Sequence, residues 1–198
     1  MGFMIQLIGL FLLITSALAA QPLTRNERNR AISELHATRK LLQDAVAGLK
    51  VKQLNFKPNE KSWSIAEIVE HLAVVEDGLF ATYQQVAGGA AVAGAKSAFK
   101  DEDYLKVIRS RDQKVQAPES MAPKKTFPST PKALEAFNQR RLRNIDFLDK
   151  TRDEDLRRKI LSGQNIDAYQ IFLLLAAHAE RHVSQINELK SNARYPRS

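Results

Sequence analysis

The chain has no cysteine, which excludes disulfides, thiolate metal sites and a cysteine nucleophile. Any metal site must therefore be built from histidine and carboxylate. Beyond residue 20 there is no apolar run long enough to span a bilayer. No stretch alternates with period two as a strand would, and no repeat of solenoid period is visible. Aromatic residues make up 7% of the chain and none form a stacking platform beside the basic clusters. The zinc-protease pattern H-E-x-x-H is also missing. In HAERH, from His178 to His182, Ala179 takes the second place and Glu180 the third, so the base of that motif is absent and peptidase chemistry is disfavoured. Glu180 and Arg181 are expected to face away from the buried stripe of their helix.

What remains is the composition of one soluble domain with a sizeable core, 44% hydrophobic and 26% charged. Residues 1–20 carry no charged side chain and hold the block IQLIGLFLLI, followed by small residues at Ala17 and Ala19. This pattern predicts a signal peptide over residues 1–20 and an exported domain over 21–198, periplasmic or extracellular. The absence of Lys or Arg before the apolar block, with Arg25, Arg28 and Arg30 soon after it, makes an uncleaved anchor the alternative. If the signal is cleaved, no stable membrane insertion is expected.

The net charge is +8, with basic clusters at RNERNR (25–30), QRRLR (139–143) and RDEDLRRK (152–159). Acids are mixed into or lie close to these clusters, which fall at helix starts, helix faces and turns. They are read as solvated surface, and nucleic acid is not expected as a partner.

Four strong helical patterns are present. The first runs from about residue 28 to 49 and stops at Gly48 and Pro58. The second opens at Ser64, with Glu67 completing an S-x-x-E capping box and Trp63 placed to staple onto Ile68. Its stripe is Ile68, Leu72, Val75, Leu79 and Tyr83, and His71 falls on the same side. The third opens with Thr130 as cap and Pro131 at the first helical position. The fourth opens at Asp167 with Gln170 three places on, and its stripe runs through Leu174, His178, His182 and Ile186. Between the second and third lies a connection over residues 88–129, with a short helix expected in EDYLKVIRSRDQKV. Its length lets the second and third helices run parallel.

His178 and His182 are four apart, so a helix stacks them on one face within reach of one ion. His71 occupies a similar place on another helix. His71 lies about 10 Å into its helix and His182 about 12 Å from the far end of its own, so antiparallel neighbours would bring all three to one level. Three buried imidazoles without carboxylate partners would each cost about 1–3 kcal/mol if unpaired. A shared divalent cation, zinc, nickel or iron, resolves this and leaves positions open for water or substrate. The bland reading is a set of core histidines that bind nothing. His36, on the first helix, is read as a core-edge or surface residue, and Glu67 as a cap before a base.

The stretches KSWSIAEIVEHLAVVE, APESMAPKKTFPSTPKALEAF and LLLAAHAERHVSQI, in that order, resemble the DinB-like superfamily over nearly the whole chain after residue 20. The resemblance implies an all-α four-helix bundle, up-down-down-up, with a long crossover between helices 2 and 3, often as a homodimer. It implies a divalent metal on three histidines, which fall here on His71, His178 and His182. It implies no DNA polymerase. Relatives include thiol S-transferases that use bacillithiol or mycothiol and maleylpyruvate isomerases. The expected function is an exported metalloenzyme activating a water or a thiol toward a small-molecule substrate. The alternative is a non-enzymatic metal- or ligand-binding bundle.

Overall fold

Side-chain caps set the helix starts. In the computed structural model, which describes residues 22–92, 95–112, 115–161 and 163–197, Thr24 opens α1 (Arg25–Val46). Its hydroxyl accepts the Glu27 N–H at 3.2 Å, and the Glu27 carboxylate takes the Thr24 N–H at 2.8 Å. This box starts the helix three residues before the expected position. The residues read as a signal peptide, 1–20, lie outside the described ones. After α1 the chain turns at Gly48, whose φ of 70° is a left-handed conformation that side chains resist, and makes one turn of helix, α2 (Val51–Leu54).

The capping box of Ser64 and Glu67 opens α3 (Ile65–Ala87) as expected. The long connection contains α4 (Asp101–Arg109), with acids in its first turn and bases in its last, the order the helix dipole favours. A 3-10 turn follows at Glu119–Met121. α5 (Thr130–Lys150) begins one residue earlier than predicted, because Ser129 rather than Thr130 supplies the capping hydroxyl. A 3-10 turn at Glu154–Arg158 leads to a two-residue ribbon: β1 (Ile160–Leu161) pairs antiparallel with β2 (Ile166–Asp167). Strands this short leave no alternation to detect. Asp167 and Gln170 then box the start of α6 (Ala168–Lys190).

The chain is therefore mostly helical, as expected. α1 and α3 each pack against both α5 and α6. α4 lies on α6, where Arg109 reaches Glu34 at 2.8 Å and Glu180 at 2.6 Å. Arg181 is buried, with Arg111 and Asp112 of the connection among the charges around it. Among the described residues no helix is long and apolar enough to cross a membrane.

The core is divided in two. One cluster holds Leu35, Tyr83, Ile145, Leu148 and Phe172; the other holds Leu42, Ile68, Phe137, Val183 and Ile186. Each such side chain contributes about 1.5–3 kcal/mol by burial. Thr38, Glu76, Arg141 and His178 fall where the four long helices pass from one cluster to the other, so a polar layer crosses the bundle. Arg141 is fully buried within it. Its donors reach Glu76, Thr38 and the carbonyls of Leu35 and Leu175 at 2.5–3.1 Å, so the guanidinium is satisfied.

Candidate metal centre

His71 projects from the second turn of α3, and His178 and His182 lie one turn apart on α6. The structure brings the three together: one ring nitrogen of each lies within 4.8 Å of those of the other two. His71 Nε2 and His178 Nε2 face each other at 2.9 Å. Two imidazole nitrogens sharing an ion at about 2.0–2.1 Å would lie roughly 3 Å apart, so this pair has the spacing of common ligands. His71 and His182 are buried, at 2% and 7% exposure, and His178 is half-buried.

Burial fixes the protonation. His71 is held below the ordinary histidine pKa by desolvation, against the raising effect of its bond to the Met121 carbonyl. His178 is pushed down to about 3, first by burial, then by His71, Arg181 and Arg141. His182 falls well below the usual value through burial and then His178 and His71. All three are neutral at pH 7, the state a metal ligand requires.

Two of the rings are also oriented. Nδ1 of His71 donates to the Met121 carbonyl at 2.7 Å, which leaves Nε2 as a lone pair aimed at His178. Nδ1 of His182 donates to the Gln185 amide oxygen at 2.8 Å, leaving its Nε2 free in the same way. Partners of this kind fix tautomer and raise ligand basicity. The half-buried Trp63 closes one side, its ring centroid 4.9 Å from that of His71 and 6.2 Å from that of His182. The donor set, neutral and convergent with two of its far nitrogens tethered, suits a divalent cation.

Nearby carboxylates are engaged elsewhere. Glu67 takes the Ser64 N–H and pairs with Lys57 at 2.7 Å; burial raises its pKa, but these bonds outweigh it and hold the group below the usual range. Its expected role as a cap is thus the observed one. Glu70 accepts two backbone N–H groups from the connection. His36 is exposed and away from the set. Sequence reading missed Met121, Gln185 and Glu70. Gln185 was accessible, three places after His182 on one helical face; the Met121 carbonyl had no sequence signal.

A mostly helical bundle with three convergent imidazoles, one of them in its polar layer, defines a histidine-lined helical-bundle protein. The chain belongs to the DinB superfamily, whose family model matches residues 34–186. The uncharacterized protein YuaE of Bacillus subtilis (strain 168) is 27% identical over 145 residues, covering 72% of this chain and 86% of its own. Among solved structures, YfiT from Bacillus subtilis is 16% identical with a TM-score of 0.54, over 85% of this chain and 88% of its own. It is described as a "probable metal-dependent hydrolase with an unusual four-helix bundle topology". The colibactin self-resistance protein ClbS, solved in complex with a dsDNA, is 14% identical with a TM-score of 0.56, over 83% of this chain and 95% of its own.

The ClbS complex corrects one expectation. Nucleic acid was excluded as a partner because the basic clusters are mixed with acids and lack aromatic platforms, yet a protein of this fold binds dsDNA. The exclusion does not follow, because duplex binding rests on phosphate contacts that need no stacking platform.

Proposed function

We propose that this chain is a metal-dependent enzyme of the hydrolase type, with His71, His178 and His182 holding one divalent cation. The observation that carries this reading is the convergence of three neutral imidazoles, two of them tethered through Nδ1. A cation held there would lower the pKa of a water and act as a Lewis acid toward a small-molecule substrate. The protein's own part is to keep the rings neutral by burial, to fix their tautomers, and to shield one side with Trp63. YfiT's description supports hydrolysis as the reaction class.

The bundle order belongs to the same proposal: up-down-down-up, with α3 and α5 parallel across the connection. Its support is that contacts between them rise together in number, Ala73 with Arg140, Glu76 with Arg141, and Phe80 with Phe147. Export is proposed from the apolar, uncharged residues 1–20 alone.

A panel of activated esters and amides, assayed with and without chelator, tests the reaction. Turnover that a chelator abolishes, and that His182→Ala lacks, supports the reading. Metal bound at full stoichiometry with no turnover on any member favours a non-enzymatic binding bundle, which the engagement of Glu67 and Glu70 in structural bonds also fits.

A further inference from the structure

The segment from the 3-10 turn to α5 is fastened to α3 at three of its residues, Glu70, His71 and Gly78. Glu70, 8% exposed, accepts the Lys124 N–H at 2.8 Å and the Thr126 N–H at 2.7 Å, both on Oε1. His71, the next residue, donates its Nδ1–H to the Met121 carbonyl. Farther along, a Cβ on Gly78 would lie 2.8 Å from Met121 Cε, so the methionine side chain occupies the space that the glycine leaves. Lys125 lies between the two donors with φ of 58°, a left-handed conformation for a residue with a side chain. That turn of the backbone aims the N–H groups on either side at one point, as in the concave backbone arrangements that bind anions. Here the anion is internal, and it is the neighbour of a proposed metal ligand.

We propose that Glu70 is a positioning residue of the metal centre: by holding the backbone at Lys124 and Thr126, it locks the Met121 carbonyl on His71 Nδ1 and so keeps Nε2 available to a cation. The lock rests on the metal reading for its purpose but not for its existence, since it sets the tautomer of His71 with or without an ion. Its logic is positional. The Met121 carbonyl belongs to a segment with prolines at 118, 123 and 128, which supplies few backbone donors of its own. Without the carboxylate, the N–H groups of Lys124 and Thr126, both exposed residues, lose their protein acceptor to solvent, and the segment loses two of its ties to α3. His71 would then be free to carry its hydrogen on either nitrogen.

The test uses the full chain and the variants Glu70→Ala and Glu70→Gln. Leu148→Ala, in the core cluster against which the Met121 side chain packs, serves as a destabilised control that removes none of the Glu70 bonds. Nitrogen NMR of histidine-labelled, metal-free protein reads the His71 tautomer. Zinc titration followed by the fluorescence of Trp63, the one tryptophan of the chain, reads affinity. Glu70→Ala should populate the Nε2–H form of His71 and weaken zinc binding about 10–100-fold. Glu70→Gln keeps an oxygen for both N–H groups and should stay within about threefold of the parent. Leu148→Ala should match the parent in both readouts. If Glu70→Ala fails to fold, Glu70→Asp, one methylene short, should show the same shift in smaller measure. An unchanged tautomer in the Ala variant, or the Asp variant in its place, overturns the lock whether or not zinc binds. An equal loss of zinc affinity in Leu148→Ala overturns it too. A shifted tautomer in a protein that binds no zinc upholds the lock and removes the metal reading instead.

Discussion

Arg141 and Glu76 pair at 2.5 Å with side chains 0% and 1% exposed, in the polar layer that also holds His178. The same guanidinium donates to the Leu175 carbonyl, three residues before His178, and Glu76 lies five residues after His71. The pair therefore ties together the two helices that carry the histidines. Removing one partner strands a buried charge, so Glu76→Leu or Arg141→Met alone should cost about 3–5 kcal/mol in urea denaturation. The double variant should recover much of that loss, because neither charge is then buried alone. A double variant as unstable as the singles together would contradict this account.

The metal-free protein should lose stability as pH falls below 6.5, the ordinary histidine value. There the unfolded chain takes up protons that the folded rings refuse. With His178 pushed down to about 3, the loss grows across the interval from 6.5 toward 3 and levels off below it. At pH 5 it should be roughly 1–2 kcal/mol for this residue alone. Urea midpoints between pH 7.5 and 5 should fall more steeply than in the variant with all three histidines changed to alanine. Parallel slopes would show that the rings are not held neutral.

Arg157 joins three parts of the chain through Glu27, Asp101 and Asp167, all within 3.0 Å, and lies 4.1 Å over the Tyr169 ring. Arg157→Met should destabilise by about 3 kcal/mol at pH 8, because three carboxylates then face each other. Asp167 is raised to about 6, by burial first, against the pull of Arg157. The cost should therefore shrink as pH falls through the carboxylate range and the unpaired acids take up protons. A cost that does not change with pH would contradict the role assigned to this cluster.

Gly48 has φ of 70° and open space where a Cβ would go. Gly48→Ala should cost about 1–2 kcal/mol through backbone conformation alone, with no rearrangement of neighbours. Thermal denaturation measures it, and a neutral result would mean that the turn after α1 readily takes another shape.

The histidine set was legible because its signal is local: a pair four apart on one helix and a third on another stripe, beside a strong capping box at Ser64. The helices were legible for the same reason. The basic clusters were not. QRRLR and RDEDLRRK read as solvated surface, yet they contain Arg141 and Arg157, whose partners lie far along the chain: Glu76 is 65 residues from the first and Glu27 is 130 from the second. Local composition carries no trace of such pairings. The burial of Arg181 had no local signal either, because charges around it, Arg111 and Asp112, come from the connection. The Met121 carbonyl was invisible because any residue can supply a carbonyl.

The most direct measurement is the metal content of the full chain, purified without a histidine tag, beside a variant in which His71, His178 and His182 are alanine. About one divalent ion per chain, absent from the variant, is the result this account predicts. A chain that holds no ion even after incubation with zinc, nickel or iron would contradict it and leave the three histidines as polar residues of a bundle core.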